Sequence, residues 1–432
     1  MPTRVLPESA AAFCGLLLLL IPLAYAGLTL MNAGLGRSRN AVHSMLASLI
    51  VIGVAAIVYV IWGFAWQGVP GGSGYALAVG GKPWNWIGSG RLFFAGLDAA
   101  SPATLMACFG MFACGLAAMI PLGAGAERWR LSAAAFSTIV FAGWTFPLFA
   151  HWSWGGGWLA ALGANFRIGG GYIDAGGAGA IQAAGGLSAL AIAWLLGPRR
   201  AKFSQEGFPM ALPGHNAVFT TFGCFLALMG WFGLNSSAAI LFYGAAPTRI
   251  PLIAVNTMLT AVGALLAAAM ITRTRFGKPD ASLSANGFIA GLAASSGGAA
   301  FQAPAQALIV GLVAGILVTF SVEWLELYLK IDDPSGSISV HAVGGLWGVL
   351  AAGFLGKFPG VFNDGQFLAQ LIGAATLVGF VFPLAYASNW ILSRIVAYRV
   401  PLDGERQGMD LHELGANAYP ELVSHLEDFQ QR

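Results

Sequence analysis

Along the 432 residues, apolar stretches of about twenty follow one another with short interruptions of glycine, proline or charge. Twenty residues at a rise of about 1.5 Å each cross a hydrocarbon core about 30 Å thick, and a backbone in lipid must satisfy its own hydrogen bonds. The pattern therefore predicts an all-α, polytopic membrane protein with about eleven spans, at 11–33, 41–66, 103–125, 131–152, 174–196, 216–235, 250–271, 283–300, 306–328, 338–356 and 367–397. A β-barrel is excluded, because its segments run to about ten alternating residues. Charged residues make up only 9% of the chain and hydrophobic ones 57%, whereas soluble domains carry about 25% charge. Soluble-enzyme, nucleic-acid-binding and disordered classes fall together. The eighth span is interrupted by Ser295, Ser296, Gly297 and Gly298, and losing it would change the topology.

Alternate loops differ in lysine and arginine, the residues that set orientation. One side holds Arg37, Arg39, Arg128, Arg130, Arg199, Arg200, Lys202, Arg273, Arg275, Lys278 and Lys330; the other holds Arg4, Lys82, Arg91, Arg167, Arg249 and Lys357. This bias, and an odd span count, place the N-terminus outside and the C-terminus in the cytoplasm. The first apolar run precedes a basic loop and another span, so it reads as a helix rather than a signal peptide. The chain divides into a membrane unit, 1–397, and a cytoplasmic tail, 398–432, that carries Asp403, Glu405, Asp410, Glu413, Glu421, Glu427 and Asp428. The loop at 67–102, rich in Gly, Pro and Trp, falls on the outer face. A net charge of +3 is too small to call for a polyanionic partner. Cys14, Cys108, Cys114 and Cys224 sit in apolar segments as small packing residues, with no spacing that suggests a disulfide, a metal or a cofactor site.

An internal repeat carries the functional argument. The segment Asp174 to Leu187 aligns without a gap to Asp333 to Leu346, and Asp, Gly, a β-branched residue, Ala, Gly, Gly and Leu recur at the same offsets. The copies lie on spans five and ten, so the halves hold five spans each with opposite orientation, the inverted repeat of many transporters. Gln182 and His341 each stand eight positions beyond the aspartate, about 12 Å deep, and are expected to meet near the bilayer centre. Asp174 and Asp333 read as helix N-caps, with Pro334 at the first helical position; attraction of a cation would be secondary. His341 reads either as a satisfied core histidine or as pore lining, and the cost of polar groups in the membrane favours the pore. Gly176, Gly177, Gly185, Gly186, Gly344 and Gly345 allow close helix approach.

Together with Gly34-Leu-Gly-Arg-Ser-Arg-Asn40, Gly125-Ala-Glu-Arg128, His151-Trp-Ser-Trp-Gly-Gly-Gly157, Pro213-Gly-His-Asn216, Gly230-Trp-Phe-Gly-Leu-Asn235, Gly277-Lys-Pro279, Asp332-Asp-Pro334 and the tail run Gly408 to Tyr419, these residues resemble the ammonium transporter (Amt/Mep/Rh) family, closest to its Amt branch. The resemblance implies an eleven-span homotrimer in the lipid bilayer with one pore per subunit, ammonium or ammonia as substrate, and a possible cytoplasmic PII-type regulator; the positive-inside pattern and the lack of a transit peptide favour a prokaryotic plasma membrane. By position, Asp174 matches the aspartate that orders the ammonium path, Trp154 the outer cation site, Phe109 the outer gate, and Trp231 a vestibule aromatic. His341 matches the second of two midpore histidines, and Gln182 stands where the first is expected. Ala113 replaces a second gate phenylalanine, Ala238 an outer-site serine and Leu234 a common phenylalanine; Phe112 would supply the missing ring if the register shifts by one.

A carboxamide does not titrate near neutral pH as imidazole does, so the pair can line a path for ammonia but cannot relay a proton through two imidazoles. The leading reading is ammonium or ammonia transport with altered proton coupling or selectivity. An ammonium sensor signalling through the tail, and an Rh-like electroneutral gas channel, are the alternatives. A sensor is expected to carry a signalling domain after the tail, whereas this sequence ends at Arg432. No nucleophile triad, paired carboxylates or phosphate loop points to an enzyme. His43 and His215 read as cytoplasmic interface residues, His151 as an outer-boundary residue, and His412 and His425 as tail surface.

Overall fold

The protein is described by a computed structural model, which covers residues 6–99, 101–358 and 364–420. Arg4, and in the tail Glu421, His425, Glu427 and Asp428, lie outside the described residues. Ten described helices are long and apolar enough to cross a membrane: α1 (Glu8–Leu35), α2 (Ser38–Gln67), α3 (Pro102–Gly125), α4 (Leu131–Ser153), α5 (Ala178–Leu196), α6 (Ala217–Tyr243), α7 (Pro247–Phe276), α9 (Pro304–Leu327), α10 (Ile338–Leu355) and α11 (Gln366–Ile395). Between α7 and α9 lies α8 (Ala281–Ser295), 15 residues long, or about 22 Å.

The eighth span, expected to reach residue 300, therefore stops at Ser295. The chain turns away inside the protein rather than against lipid, and its freed carbonyls find partners there. Asn256 on α7 donates from Nδ2 to the carbonyls of Ala299 and Gln302, both at 2.8 Å. This is the condition under which irregular backbone is tolerated at membrane depth. The fifth span likewise begins at Ala178 instead of 174. Pro334 lies in a turn rather than at the first helical position, because α10 is preceded by a longer loop.

Close contacts confirm the inverted repeat. Helices α1 and α6 run antiparallel, with Gly27 against Gly223 and Ala227, Gly230 against Ala24, and Gly34 against Asn216 and Thr220. Helices α5 and α10 cross where a methyl on Gly186 would strike the Ala342 nitrogen, and one on Gly345 would lie 2.7 Å from Ala178 O and Ala183 N. Gly185 packs on Ala117 of α3, and its counterpart Gly344 on Ala290 of α8. Short α8 is thus the structural counterpart of α3. Both α5 and α10 open with a π-helical turn, Ala178–Ala183 and Ile338–Val343.

The Trp-rich loop folds as an antiparallel hairpin, β1 (Gly74–Val79) and β2 (Lys82–Gly88). Gly80 and Gly81 turn it with φ of 57° and 73°, the left-handed pair that two-residue hairpins favour. Trp84 stacks on Trp158 at 4.8 Å, and Trp86 meets Trp152 edge-on at 5.8 Å, fixing the hairpin over the end of α4.

At the opposite end, the tail helices α12 (Leu402–Gln407) and α13 (Met409–Leu414) dock on the loops. Asp410 accepts from the backbone N–H of His43 (2.7 Å) and Val42 (3.2 Å). Glu413 accepts from Leu131 N–H (2.9 Å) and Arg130 Nε (3.2 Å), and meets His43 Nε2 at 3.0 Å. Tail carboxylates thereby occupy the first turns of α2 and α4, where backbone N–H groups lack helical partners. His215 lies 3.0 Å from Gly36 O and 3.2 Å from the Tyr419 hydroxyl, as expected of an interface residue. Beneath the tail, Asp332 binds Arg199 through Nε and Nη2 at 2.9 and 3.0 Å. Burial alone would raise its carboxyl, but Arg128 and Arg199 hold it at about 2. The hairpin and the docked tail thus mark two opposite ends of the bundle, the hairpin side and the tail side.

Candidate functional site

The two halves lead into the core by the same device. On the hairpin side, Asp174 accepts from Gly179 N–H (3.2 Å) and Ala180 N–H (2.7 Å). On the tail side, Asp333 accepts from Ser337 N–H (3.0 Å) and Ile338 N–H (2.6 Å). Each aspartate satisfies donors that the start of a helix leaves open. Gly177 and Gly336, repeat partners, take φ of 92° and 72°, a left-handed conformation that explains why glycine recurs at this offset.

Two turns of chain deeper, Gln182 and His341 meet: His341 Nδ1 and Gln182 Oε1 are 2.7 Å apart, both residues buried. An amide oxygen only accepts, so Nδ1 carries the hydrogen, and in the neutral imidazole Nε2 keeps its lone pair. Gln182 Nε2 is buried and has no hydrogen-bond partner among the described residues. The pair thus offers one acceptor, His341 Nε2, and one donor, the Gln182 amide. A buried donor left unmatched costs about 1–3 kcal/mol, so this position favours a small guest that accepts a hydrogen bond.

On the hairpin side of this pair stand Phe109, Trp154 and Phe242. Phe109 meets Trp154 edge-on at 5.4 Å and Phe242 at 5.3 Å, while Trp154 and Phe242 stack at 5.1 Å with 7° between their planes. Trp154 donates from Nε1 to Asp174 O at 2.8 Å, and Asp174 N–H donates to the Tyr243 hydroxyl at 2.8 Å. Phe109, Trp154 and Asp174 are therefore brought together. Phe242 and Tyr243 complete the group, a contribution the sequence reading missed; its signal is an aromatic pair at the end of the span facing the hairpin side. The second ring comes from Phe242 and not from Phe112, which instead pairs with Tyr25 at 6.5 Å. Because Phe242 covers one face of Trp154, that face is not open to a cation in this conformation.

Trp231 stands apart, buried and donating from Nε1 to Ser296 Oγ at 3.1 Å. Ala113, Leu234 and Ala238 are buried without polar function. His151 is also buried, its Nδ1 2.7 Å from Gln67 O. A second repeat escaped the sequence reading: Gly27-Leu-Thr-Leu-Met-Asn32 and Gly230-Trp-Phe-Gly-Leu-Asn235 share Gly and Asn at the same spacing. Asn235 points to the start of α5 at Gly176 and Asn32 to the tail side of α3 at Gly123.

A family model described as "Ammonium Transporter Family" matches residues 12–419. The chain is 34% identical to "Ammonium transporter Amt2" of Archaeoglobus fulgidus over 96% of this chain and 88% of that one. It is 29% identical to "Ammonium transporter" of Bacillus subtilis, covering 95% of this chain and 98% of that one. Among solved structures, one described as "Sensor Amt Protein" superposes with a TM-score of 0.84 at 26% identity, over 94% of this chain and 98% of that one. Mep2 of Candida albicans matches in fold, with a TM-score of 0.78 at 23% identity, covering 96% and 91% of the two chains.

Proposed function

The chain belongs to the ammonium transporter family, and from that premise we propose that it moves ammonium nitrogen across the membrane as neutral ammonia, handed through the Gln182–His341 pair. The observation that carries this reading is the polarity of the pair. Ammonia has three N–H donors and one lone pair, so it can donate to His341 Nε2 while accepting from Gln182 Nε2. Ammonium has four donors and no lone pair, and would set its hydrogens against those of the amide. With only one imidazole, the pair cannot pass a proton along by successive protonation. Ammonium therefore gives its proton to water on the hairpin side, and only ammonia enters the pair.

On this reading Phe109 and Trp154, closed by Phe242, form the outer gate, Asp174 fixes the gate to the start of α5, and Trp231 braces the vestibule through Ser296. The protein is a homotrimer with one pore per subunit, in the plasma membrane, its N-terminus outside. Residues 1–397 form the membrane unit and 398–432 the cytoplasmic tail, whose docked helices offer a surface to a PII-type regulator.

A sensor is the second reading, favoured by the match to "Sensor Amt Protein" and by a tail locked to the loops through Asp410 and Glu413. Liposomes holding the protein and its Gln182→His variant separate these cases by ammonia flux and ammonium-evoked current. Flux with little current in the unaltered protein, and current gained with Gln182→His, supports neutral passage. A saturable current of equal size in both refutes it, and ammonium binding with neither flux nor current establishes the sensor.

A further inference from the structure

Residues 171–177 form no helix or strand and are buried, so their main-chain groups need partners from elsewhere. At Ile173 and Asp174 all four of those partners are side chains. Ile173 N–H donates to Gln370 Oε1 at 2.8 Å, and Ile173 O accepts from Gln370 Nε2 at 2.7 Å. Asp174 N–H donates to the Tyr243 hydroxyl, and Asp174 O accepts from Trp154 Nε1, both at 2.8 Å. One turn earlier on α11, Gln366 holds the residues upstream: its Oε1 accepts from Gly170 N–H and its Nε2 donates to Gly171 O, both at 2.9 Å. The two glutamines are buried, and being four residues apart they share one face of α11. Their amides pair with the extended chain as a neighbouring strand would, donor to acceptor and acceptor to donor. Gln370 Nε2 also donates to Val349 O of α10 at 3.1 Å.

The other half of the repeat fixes the matching residue by different chemistry. Asp332 precedes the capping Asp333 as Ile173 precedes Asp174. Its carbonyl accepts from Arg128 Nη2 at 2.8 Å, and its carboxylate from Arg199. Both halves therefore hold the main chain one residue before the cap, with guanidinium groups on the tail side and amides on the hairpin side. Helix α11 lies outside the two five-span halves, so the hairpin-side clamp is brought in from beyond the repeat. What it holds leads directly to the rings. Trp154, bonded to the Asp174 carbonyl, stacks on Phe242 and meets Phe109 edge-on, so a shift of Ile173 is passed through one peptide to the indole.

We propose that Gln366 and Gln370 are positioning residues of the hairpin-side gate. They fix the main chain from Gly170 to Ile173, and through Asp174 O they hold the Trp154 indole between Phe109 and Phe242. An amide suits this place because Ile173 presents a donor and an acceptor side by side, and a carboxylate or an alkyl chain matches only one of them or neither. This inference rests on the reading of the ring cluster as the gate of an ammonia conduit.

Gln370→Met, similar in volume but without the amide, tests it in the full chain. Oxidative footprinting read by mass spectrometry reports exposure of Trp154, with Trp231, bonded to Ser296, as internal reference; ammonia flux is measured in liposomes. Loss of one main-chain hydrogen bond should open the cluster about fivefold more often, raising Trp154 oxidation and flux by about that factor while Trp231 stays unchanged. Gln366→Met, which leaves Gln370 in place, should shift both readouts the same way and carries the test if Gln370→Met does not fold. In a Trp154→Phe background, which has no indole N–H for the Asp174 carbonyl, Gln370→Met should add nothing to the flux. Unchanged Trp154 oxidation in both glutamine variants, or flux effects of Gln370→Met and Trp154→Phe that simply multiply, overturns the positioning role. If the unaltered protein conducts and Trp154 does not respond, this inference fails and the conduit stands. If the unaltered protein carries no flux, the conduit fails, and the oxidation of Trp154 still decides whether the glutamines hold it.

Discussion

Gly345→Ala tests the crossing on which the pore rests. The added Cβ would lie 2.7 Å from both Ala178 O and Ala183 N, and 2.9 Å from Gln182 Cβ. Ordinary van der Waals contact begins near 3.4 Å, so α5 and α10 must separate by roughly 0.7 Å, the difference of the two distances. Nothing flexible lies in the way, because two of the three opposing atoms are backbone. The same shift stretches the 2.7 Å contact of His341 Nδ1 with Gln182 Oε1 to about 3.4 Å, beyond a normal N–H···O bond. Overpacking costs about 1–3 kcal/mol and the lost hydrogen bond about 1 kcal/mol, while helix propensity returns up to about 1 kcal/mol, so the variant should be destabilised by about 1–3 kcal/mol. Gly53→Ala on α2 is the control: its Cβ meets nothing within 4 Å, and gained helix propensity should leave it neutral or up to about 1 kcal/mol more stable. Thermal unfolding in detergent compares the two, with ammonia flux in liposomes read on the same preparations. If Gly345→Ala unfolds with the unaltered protein and conducts equally well, the backbone-to-backbone crossing does not hold the pair together and the reasoning fails.

Asp332→Asn strips the anion from buried Arg128 and Arg199 and should cost about 3–5 kcal/mol in unfolding experiments. In the unaltered protein this carboxylate, held at about 2 against an ordinary 3.8, contributes about 2.5 kcal/mol. That stability is fully present above pH 3.8 and lost as pH falls through 2; an acid titration of the Asp332→Asn variant should lack this step. Phe242→Ala removes two aromatic contacts worth together about 1–3 kcal/mol and uncovers Trp154, so ammonia flux should rise in stopped-flow measurements; unchanged flux would show that the ring cluster is not the closure. Asp410→Ala removes the acceptor shared by Val42 and His43, worth about 1–2 kcal/mol, and should speed tryptic cleavage at Arg406 while the membrane helices stay protected.

The span pattern was legible because membrane helices must be long and apolar, and the contact of Gln182 with His341 because the repeat fixes the two residues at equal depth. What stayed hidden was what periodicity does not encode. The end of α8 at Ser295 depends on Asn256 of another helix bonding the freed carbonyls of Ala299 and Gln302. The aromatic cluster was visible in part, through Phe109 and Trp154, but its third ring lies on α6, more than eighty residues away, and only folding brings Phe242 over Trp154. Pro334 suggested a helix start because proline suits the first turn. The left-handed Gly336 delays that start, as Gly177 does in the other half.

A repeat that preserved both backbone and chemistry would build a pore with two equivalent ends. Here the backbone device is kept twice, as an aspartate cap, a left-handed glycine and a glycine at the crossing, while the side chains around it diverge. Rings cluster at the start of α5, hydroxyls at the start of α10, and each side keeps an unpartnered amide oxygen, on Asn235 and on Asn286. At the centre the same divergence puts an amide opposite an imidazole. The shared device sets where the chain can be narrow, since caps and close glycines tolerate little change. Direction and selectivity must then come from the residues that differ between the halves, and exchanging Ser335 and Ser337 for their counterparts Gly and Ala should make the two mouths more alike without disturbing the crossing between them.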